Sequence, residues 1–230
     1  MGFPYGLDED AAFMTTWLEL HRLEGIKKLA ELSKNFNKPL QQKIKLQDIQ
    51  SKTTINLQNT SLLINGPGLF DYLYEETKKY QLLECSFKNC IDSIYIIPLA
   101  EKLSTKIESI NACWLDENNK NIGINVTKNK ILIGEVEDYF HILDGQVFLQ
   151  FFNNAKHKKN LNKNLKLKNI INEINSTKKQ QYLEESLKPN PIDWDIISNL
   201  AKRTFVPASE ESRNRGAGGG DANDLYKFYI

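Results

Sequence analysis

The stretch from Thr204 to Asp224 holds the residues best suited to chemistry in this sequence. Two arginines, a run of glycines and three side chains with oxygen atoms follow one another: Arg213, Arg215, Gly216, Gly218, Gly219, Asp221, Asn223 and Asp224. A guanidinium holds a carboxylate or a phosphate through two parallel hydrogen bonds, and glycines let backbone N–H groups approach a ligand closely. We therefore expect a loop that binds a small anionic metabolite.

The two aspartates of this loop are the candidate catalytic residues. Asp221 and Asp224 would orient the other end of the ligand or act as acid and base. With Asn223 they supply too few oxygens to enclose a metal ion, so no metal site is predicted, and the sequence does not indicate a cofactor. Ser209, which is expected to cap a short helical turn, and Ser212 complete the predicted binding residues of the loop.

A different use of the loop stays open. Its glycines would also permit close packing, with the arginines paired to Glu210, Glu211 or Asp221. In the alternative hypothesis the protein is a non-catalytic subunit whose terminal motifs form an interface with a second copy or with a partner enzyme.

The two ends of the chain resemble an uncharacterised bacterial family, the domain of unknown function 3726. The resemblance is carried by Gly2–Ala12, continuing to Trp17, and by Thr204–Arg213 with the glycine run up to Asp224. It implies a bacterial, cytoplasmic protein in which both motifs matter, and it assigns no reaction. We expect the N-terminal Gly-Leu-Asp motif, with Tyr5 and Asp8, to meet the C-terminal loop around one site.

Composition indicates a soluble globular protein of one domain, residues 1–230. Apolar residues make up 40% and charged residues 26% of the 230 residues, and no apolar run is long enough to cross a bilayer. The N-terminus lacks the pattern of a signal peptide. Three cysteines, Cys85, Cys90 and Cys113, form a sparse, odd set that is typical of the reducing cytoplasm.

The net charge of +1 conceals an uneven distribution. Residues 153–181 contain eight Lys and one Glu, and we interpret them as a Lys- and Asn-rich surface insertion. Because no aromatic residues alternate with these lysines to stack on bases, the segment argues against nucleic-acid binding.

Hydrophobic periodicity predicts an α+β fold, with N-terminal helices packed on a central antiparallel sheet and a C-terminal helix followed by the glycine-rich loop. Helices are expected over residues 7–21, 26–36, 69–80 and 190–203. Strands are expected over residues 94–97, 110–114, 122–126, 131–133, 140–143 and 146–151. Asn65–Gly68 and Asp144-Gly145 are predicted turns, and residues 41–58 remain unassigned.

Overall fold

The computed structural model describes residues 6–34, 44, 46, 49–136, 142–153 and 165–202. Within these residues six α-helices accompany one seven-stranded sheet, so the predicted α+β class is confirmed. The helices are α1 (Leu7–Leu20), α2 (Gly25–Ser33), α3 (Leu62–Thr77), α4 (Ile96–Ser104), α5 (Ser176–Glu185) and α6 (Pro191–Lys202). The strands are β1 (Lys52–Ser61), β2 (Leu82–Ile91), β3 (Ser109–Leu115), β4 (Asn121–Thr127), β5 (Lys130–Val136), β6 (Val147–Phe152) and β7 (Leu167–Asn175).

The sheet is mixed, with the strand order β1-β2-β6-β3-β4-β5-β7. β1 and β2 are parallel and are connected by α3, whereas every other pairing is antiparallel. The predicted meander β3–β4–β5 is confirmed. The β1–α3–β2 unit was not predicted, because the two strands carry many polar residues between their buried positions.

One face of the sheet forms the main core. Helices α3 and α4 pack on this face, and α1 packs in turn on α3 and α4. The alternation in β3 explains the arrangement, since Ile110 and Ala112 are fully buried in the core and Cys113 points to a smaller cluster on the other face. Cys113 is thus a small buried residue of a strand, as predicted.

A row of polar side chains crosses the second face and connects five strands. Lys52 pairs with Glu84 at 3.0 Å, and Gln150 Nε2 donates to the other Glu84 oxygen at 3.0 Å. Asn111 Nδ2 donates to Gln150 Oε1 at 3.5 Å, and Asn125 Nδ2 donates to Asn111 Oδ1. Because Asn111 and Gln150 are buried, these bonds satisfy groups that would otherwise destabilise the sheet.

Helices α1 and α2 meet at a position that requires glycine. A Cβ atom on Gly25 would lie 2.1 Å from the carbonyl oxygen of Thr15 and 2.8 Å from the Glu19 nitrogen. The buried Glu19 carboxylate accepts a hydrogen bond from the Ile26 N–H at 3.0 Å and so caps α2. Gly25 is thus the first residue of α2.

Three local predictions were wrong. Ile142 and Leu143, the described end of the strand predicted over residues 140–143, are not in a strand, and β6 pairs with β2 and β3 instead. Residues 94–97 form a 3₁₀ turn and the start of α4 rather than a strand. Pro98 is tolerated there because the first N–H groups of a helix have no acceptor within that helix. The predicted turn at Asn65–Gly68 lies inside α3, with Pro67 in the helix. The glycine at 66 serves packing instead, since a Cβ there would lie 2.6 Å from Leu99 of α4.

The C-terminal helix is confirmed and begins as predicted. Asn190 Oδ1 accepts from the Ile192 N–H at 2.9 Å, and Pro191 is the first helical residue.

Strand β7 and the first part of α5 lie within the predicted surface insertion. No helix in the described part of the chain has the length and apolar character needed to cross a membrane.

Candidate functional site

Most residues of the predicted site fall outside the described part of the chain. They are Tyr5, Ser209, Ser212, Arg213, Arg215, Gly216, Gly218, Gly219, Asp221, Asn223 and Asp224. Their roles stay predictions.

Asp8 is the predicted site residue that the structure describes. It is exposed in the first turn of α1, and its Oδ1 accepts from the Gly6 N–H at 3.1 Å. Asp10, in the same turn, pairs with Lys102 near the end of α4 at 3.1 Å. The first turn of α1 therefore lies by the C-terminal end of α4, and Asp10 rather than Asp8 makes the contact.

A cleft opens at the other end of α4, where β1, β2 and β3 have their carboxyl ends. It has a volume of about 380 Å³, and we call it the β2 cleft. Its wall comes from four segments: the residues after β2, the β3–β4 turn, the turn before β6, and the start of α2. In sheets with parallel strands, ligands bind beyond the carboxyl ends of the strands, so this position favours a binding site.

Asp92 is the central residue of the β2 cleft. It directly follows β2 and has a left-handed backbone, with φ of +58°. Its Oδ2 atom is buried and has no hydrogen-bond partner among the described residues. Burial raises the pKa of this carboxyl, while the Ser61 hydroxyl and the Lys28 ammonium lower it in part. A carboxyl with a raised pKa and a strained backbone in a cleft is typical of functional sites.

Two buried hydroxyls lie behind Asp92. Tyr95 is fully buried. Burial raises the pKa of its phenol, the Thr15 hydroxyl lowers this pKa in part, and the charge of Asp92 raises it further. The hydroxyls of Tyr95 and Thr15 have no conventional hydrogen-bond partner in the described part of the chain. The Tyr95 phenol thus interacts with the Asp92 carboxyl on one side and with Thr15 of α1 on the other.

Lys28 joins two walls of the cleft. Its ammonium donates to Glu117 in the β3–β4 turn and to Glu31 of α2 at 3.3 Å. The Lys28 side chain is only 16% exposed, which leaves it little freedom to turn towards a ligand. The cation that lines the cleft is therefore already neutralised by the protein.

Other polar residues of the cleft have structural roles in turns. Asp116 Oδ1 accepts from the N–H groups of Asn118 at 2.9 Å and Lys120 at 2.8 Å, and so holds the β3–β4 turn. The predicted turn at Asp144-Gly145 is confirmed, with Gly145 at a φ of +67°. Its carbonyl oxygen accepts from the Cys90 N–H at 2.8 Å, which connects the turn to β2.

Cys90 also lines the cleft, yet its environment keeps it a thiol. Burial raises its pKa to about 12, so the nucleophilic thiolate is scarce at neutral pH. Ser93 Oγ lies 3.7 Å from the sulfur. Asp92, rather than Cys90, is the residue of this cleft suited to acid–base chemistry or to hydrogen bonding with a ligand.

The sequence carried one signal for this site. A β-α-β pattern over residues 52–91 followed directly by an acidic residue would have pointed to Asp92. The burial that raises its pKa, and its interactions with Ser61 of β1 and Lys28 of α2, arise only in the folded chain.

Residues 1–61 match the family described as "Protein of unknown function (DUF3726)". The resemblance inferred from the terminal motifs is thereby confirmed for the N-terminal region. No curated protein matches the chain.

Two solved structures share the fold. Malate dehydrogenase from Entamoeba histolytica superposes with a TM-score of 0.51 at 11% identity, covering 90% of this chain and 94% of that chain. Malate dehydrogenase from Pyrococcus horikoshii OT3 superposes with a TM-score of 0.57 at 10% identity, covering 90% of this chain and 91% of that chain. At such low identities the likeness concerns the fold alone.

Proposed function

We propose that the protein binds or transforms a small anionic metabolite, which enters the β2 cleft and is held there together with the C-terminal loop. One observation carries the proposal: Asp92 lines the cleft directly after the carboxyl end of β2 with a partly buried carboxyl, one oxygen of which has no hydrogen-bond partner among the described residues. A pocket with convergent polar groups and a perturbed carboxyl is the usual form of a metabolite site.

The anionic group of the ligand needs cations from outside the described wall. Lys28 is paired with Glu117 and Glu31, so it has little charge to offer. Arg213 follows Lys202 by about ten residues, which reach roughly 35 Å when extended. We therefore assign the anion to Arg213 and Arg215, with Asp221 and Asp224 at the other end of the ligand.

The similar folds support the ligand class. Both solved structures are malate dehydrogenases, and malate is a small anionic hydroxy acid.

The three cysteines are buried free thiols, which is consistent with the cytoplasmic location that we propose.

Thermal unfolding against a panel of hydroxy acids, dicarboxylates, amino acids and phosphorylated metabolites tests the proposal. A ligand at about one hundred times its Kd adds roughly 2.7 kcal/mol of stability, which raises Tm by roughly 5–10 °C for a chain of this length. Asp92→Asn and Arg213→Ala should each abolish the shift. Asp71→Asn, which removes an exposed carboxylate of α3, should retain it.

A panel without any shift, in a protein that unfolds cooperatively, would overturn the proposal. A shift that survives both Asp92→Asn and Arg213→Ala would also contradict it, because the ligand would then bind elsewhere.

A second candidate function is a partner subunit, and α6 is the observation that favours it. This helix has no buried residue, and Ile192 and Trp194 are 72% and 50% exposed. Exposed apolar side chains on a helix are typical of a contact surface. If this function is correct, light scattering should show an oligomer that dissociates in a Trp194→Ser variant, and a monomer at all concentrations would exclude self-association.

A further inference from the structure

We infer that His21 makes the attachment of α5 dependent on pH, so that protonation of its buried ring releases this helix from the end of α1. The residues of this contact do not line the β2 cleft. The inference therefore stands independently of the proposed function.

Helix α5 buries a single side chain, that of Tyr182, which is 8% exposed. Its ring meets the ring of His21, with the two centroids 5.8 Å apart and the planes nearly perpendicular, at 87°. Elements that bury little surface open locally at low free-energy cost. The position of α5 should therefore respond to a change in the His21 ring.

The contacts of the His21 ring favour its neutral form. The ring is 2% exposed and stacks on Trp17. Nδ1 lies 2.7 Å from the Trp17 carbonyl oxygen, which only accepts, so Nδ1 carries the hydrogen of the neutral ring. Nε2 has no partner among the described residues. Protonation would place an N–H at Nε2 without an acceptor, and a buried charge without a partner is costly.

Positive charge already surrounds the Tyr182 side of this contact. In the described part of the chain, Arg22 lies over the Tyr182 ring at 5.6 Å and Lys178 at 5.9 Å. Arg22 also pairs with Glu185 of α5 at 3.1 Å. A protonated His21 would add a further positive charge beside these two cations, and like charges repel.

A second ion pair acts on His21 from α4 and α5. Glu101 of α4 pairs with Lys179 of α5; the charge of Glu101 raises the pKa of His21, and that of Lys179 lowers it. Burial has the largest effect and lowers the pKa. The ring is therefore neutral while α5 is attached, and it takes up a proton more readily once α5 moves away and water reaches it.

The pH range follows from the ordinary pKa of histidine, about 6.5. Because the pKa of His21 is lower in the closed contact, the contact is most stable above this pH and weakens as the pH falls through the closed-state pKa. Between pH 7.5 and 5.5 the population of molecules with α5 released should rise by up to about 10-fold.

Hydrogen exchange at pH 7.5 and 5.5, corrected for the intrinsic exchange rate at each pH, tests the inference. We expect residues 180–185 to exchange faster than residues 62–77 of α3, and up to about 10-fold faster at pH 5.5 than at pH 7.5. His21→Gln does not titrate in this range and should abolish the pH difference in α5. His157→Gln, which removes a histidine distant in the sequence, is the matched control and should retain it.

Two results would overturn the inference. One is the same pH difference in the wild-type protein and in His21→Gln. The other is equal protection of α5 and α3 at pH 5.5, because α5 would then open only when the whole protein unfolds. Should His21→Gln not fold, Tyr182→Ala removes the α5 side of the contact, and α5 should then be equally protected at both pH values. A pH difference that persists undiminished in Tyr182→Ala would also contradict the role of His21.

Discussion

Burial determines the protonation of individual side chains in this protein, and His21 shows this most clearly. The sequence places His21 in the last turn of the first helix, where a cation is favourable. In the structure α1 ends at Leu20, and the His21 ring is buried, stacked on Trp17 at 3.9 Å. Its Nδ1 bonds the Trp17 carbonyl oxygen at 2.7 Å, while Nε2 has no partner among the described residues.

The protonation of His21 should make stability depend on pH. Burial lowers its pKa, and the bond to Trp17 opposes this in part. A group with a lower pKa in the folded state stabilises the fold above its unfolded pKa of about 6.5, and this contribution is lost as the pH falls through the folded pKa. Between pH 7.5 and 5.5 urea unfolding should show a loss of up to about 1 kcal/mol that is absent in His21→Gln. Identical pH dependence in both proteins would contradict the buried neutral ring.

At the scale of elements, the contact between α1 and α2 depends on a missing side chain. Gly25→Ala would force its Cβ against the backbone of Thr15 and Glu19, and backbone cannot move aside without separating the helices. We expect a loss of about 1–3 kcal/mol in the free energy of unfolding.

Gly68→Ala is the matched control for this substitution. Gly68 also lies in a helix and is exposed, and a Cβ atom added to it would have no neighbouring atom within 4 Å. Alanine there should be neutral or should stabilise the protein by about 0.5–1 kcal/mol. Urea unfolding measures the free energy of unfolding of both variants. Equal changes would show that helix propensity, rather than the contact with Thr15 and Glu19, determines the effect of alanine at position 25.

Strands were predictable where one face packs on helices and the other does not, because the sequence then alternates between apolar and polar residues. The alternation in β3 and β4 arises because one face meets α4, and the sequence shows it directly. β1 is an edge strand of the sheet, so its exposed positions are polar. These polar residues are the reason that the strand was not predicted. The run at residues 94–97 is rich in isoleucine because it is buried, and burial alone does not separate a strand from a helix.

The candidate site was less predictable than the fold. The binding site was predicted in the loop after Lys202 because arginine, glycine and aspartate suggest ligand binding by their chemistry alone. Asp92 is one aspartate among many, and its raised pKa results from burial by distant segments that meet in the folded chain. Sequence reasoning therefore identified the turn at Asp144-Gly145, but not the carboxyl that the turn helps to enclose.

At the scale of the whole molecule, stability should be uneven. Helix α6 packs on α2 without burying a residue, whereas α3 buries ten, among them Leu62, Leu63 and Leu73. Regions with few buried contacts open at low free-energy cost. Hydrogen exchange should be at least about 100-fold faster in residues 191–202 than in residues 62–77. Equal protection would mean that a further contact, such as a partner, holds α6.

The strand order also has a consequence for synthesis. β6 is the strand that joins the β1–β2 pair to the β3–β4–β5 meander, and it is translated after all of them. Until residues 147–152 leave the ribosome, the nascent chain carries two incomplete sheets with open edges that face no partner. Such edges are the surfaces that chaperones shield and that aggregate when left uncovered. The facing edges of β2 and β3 stay open until this six-residue strand is made, so we expect the nascent chain to be most prone to aggregation before that point.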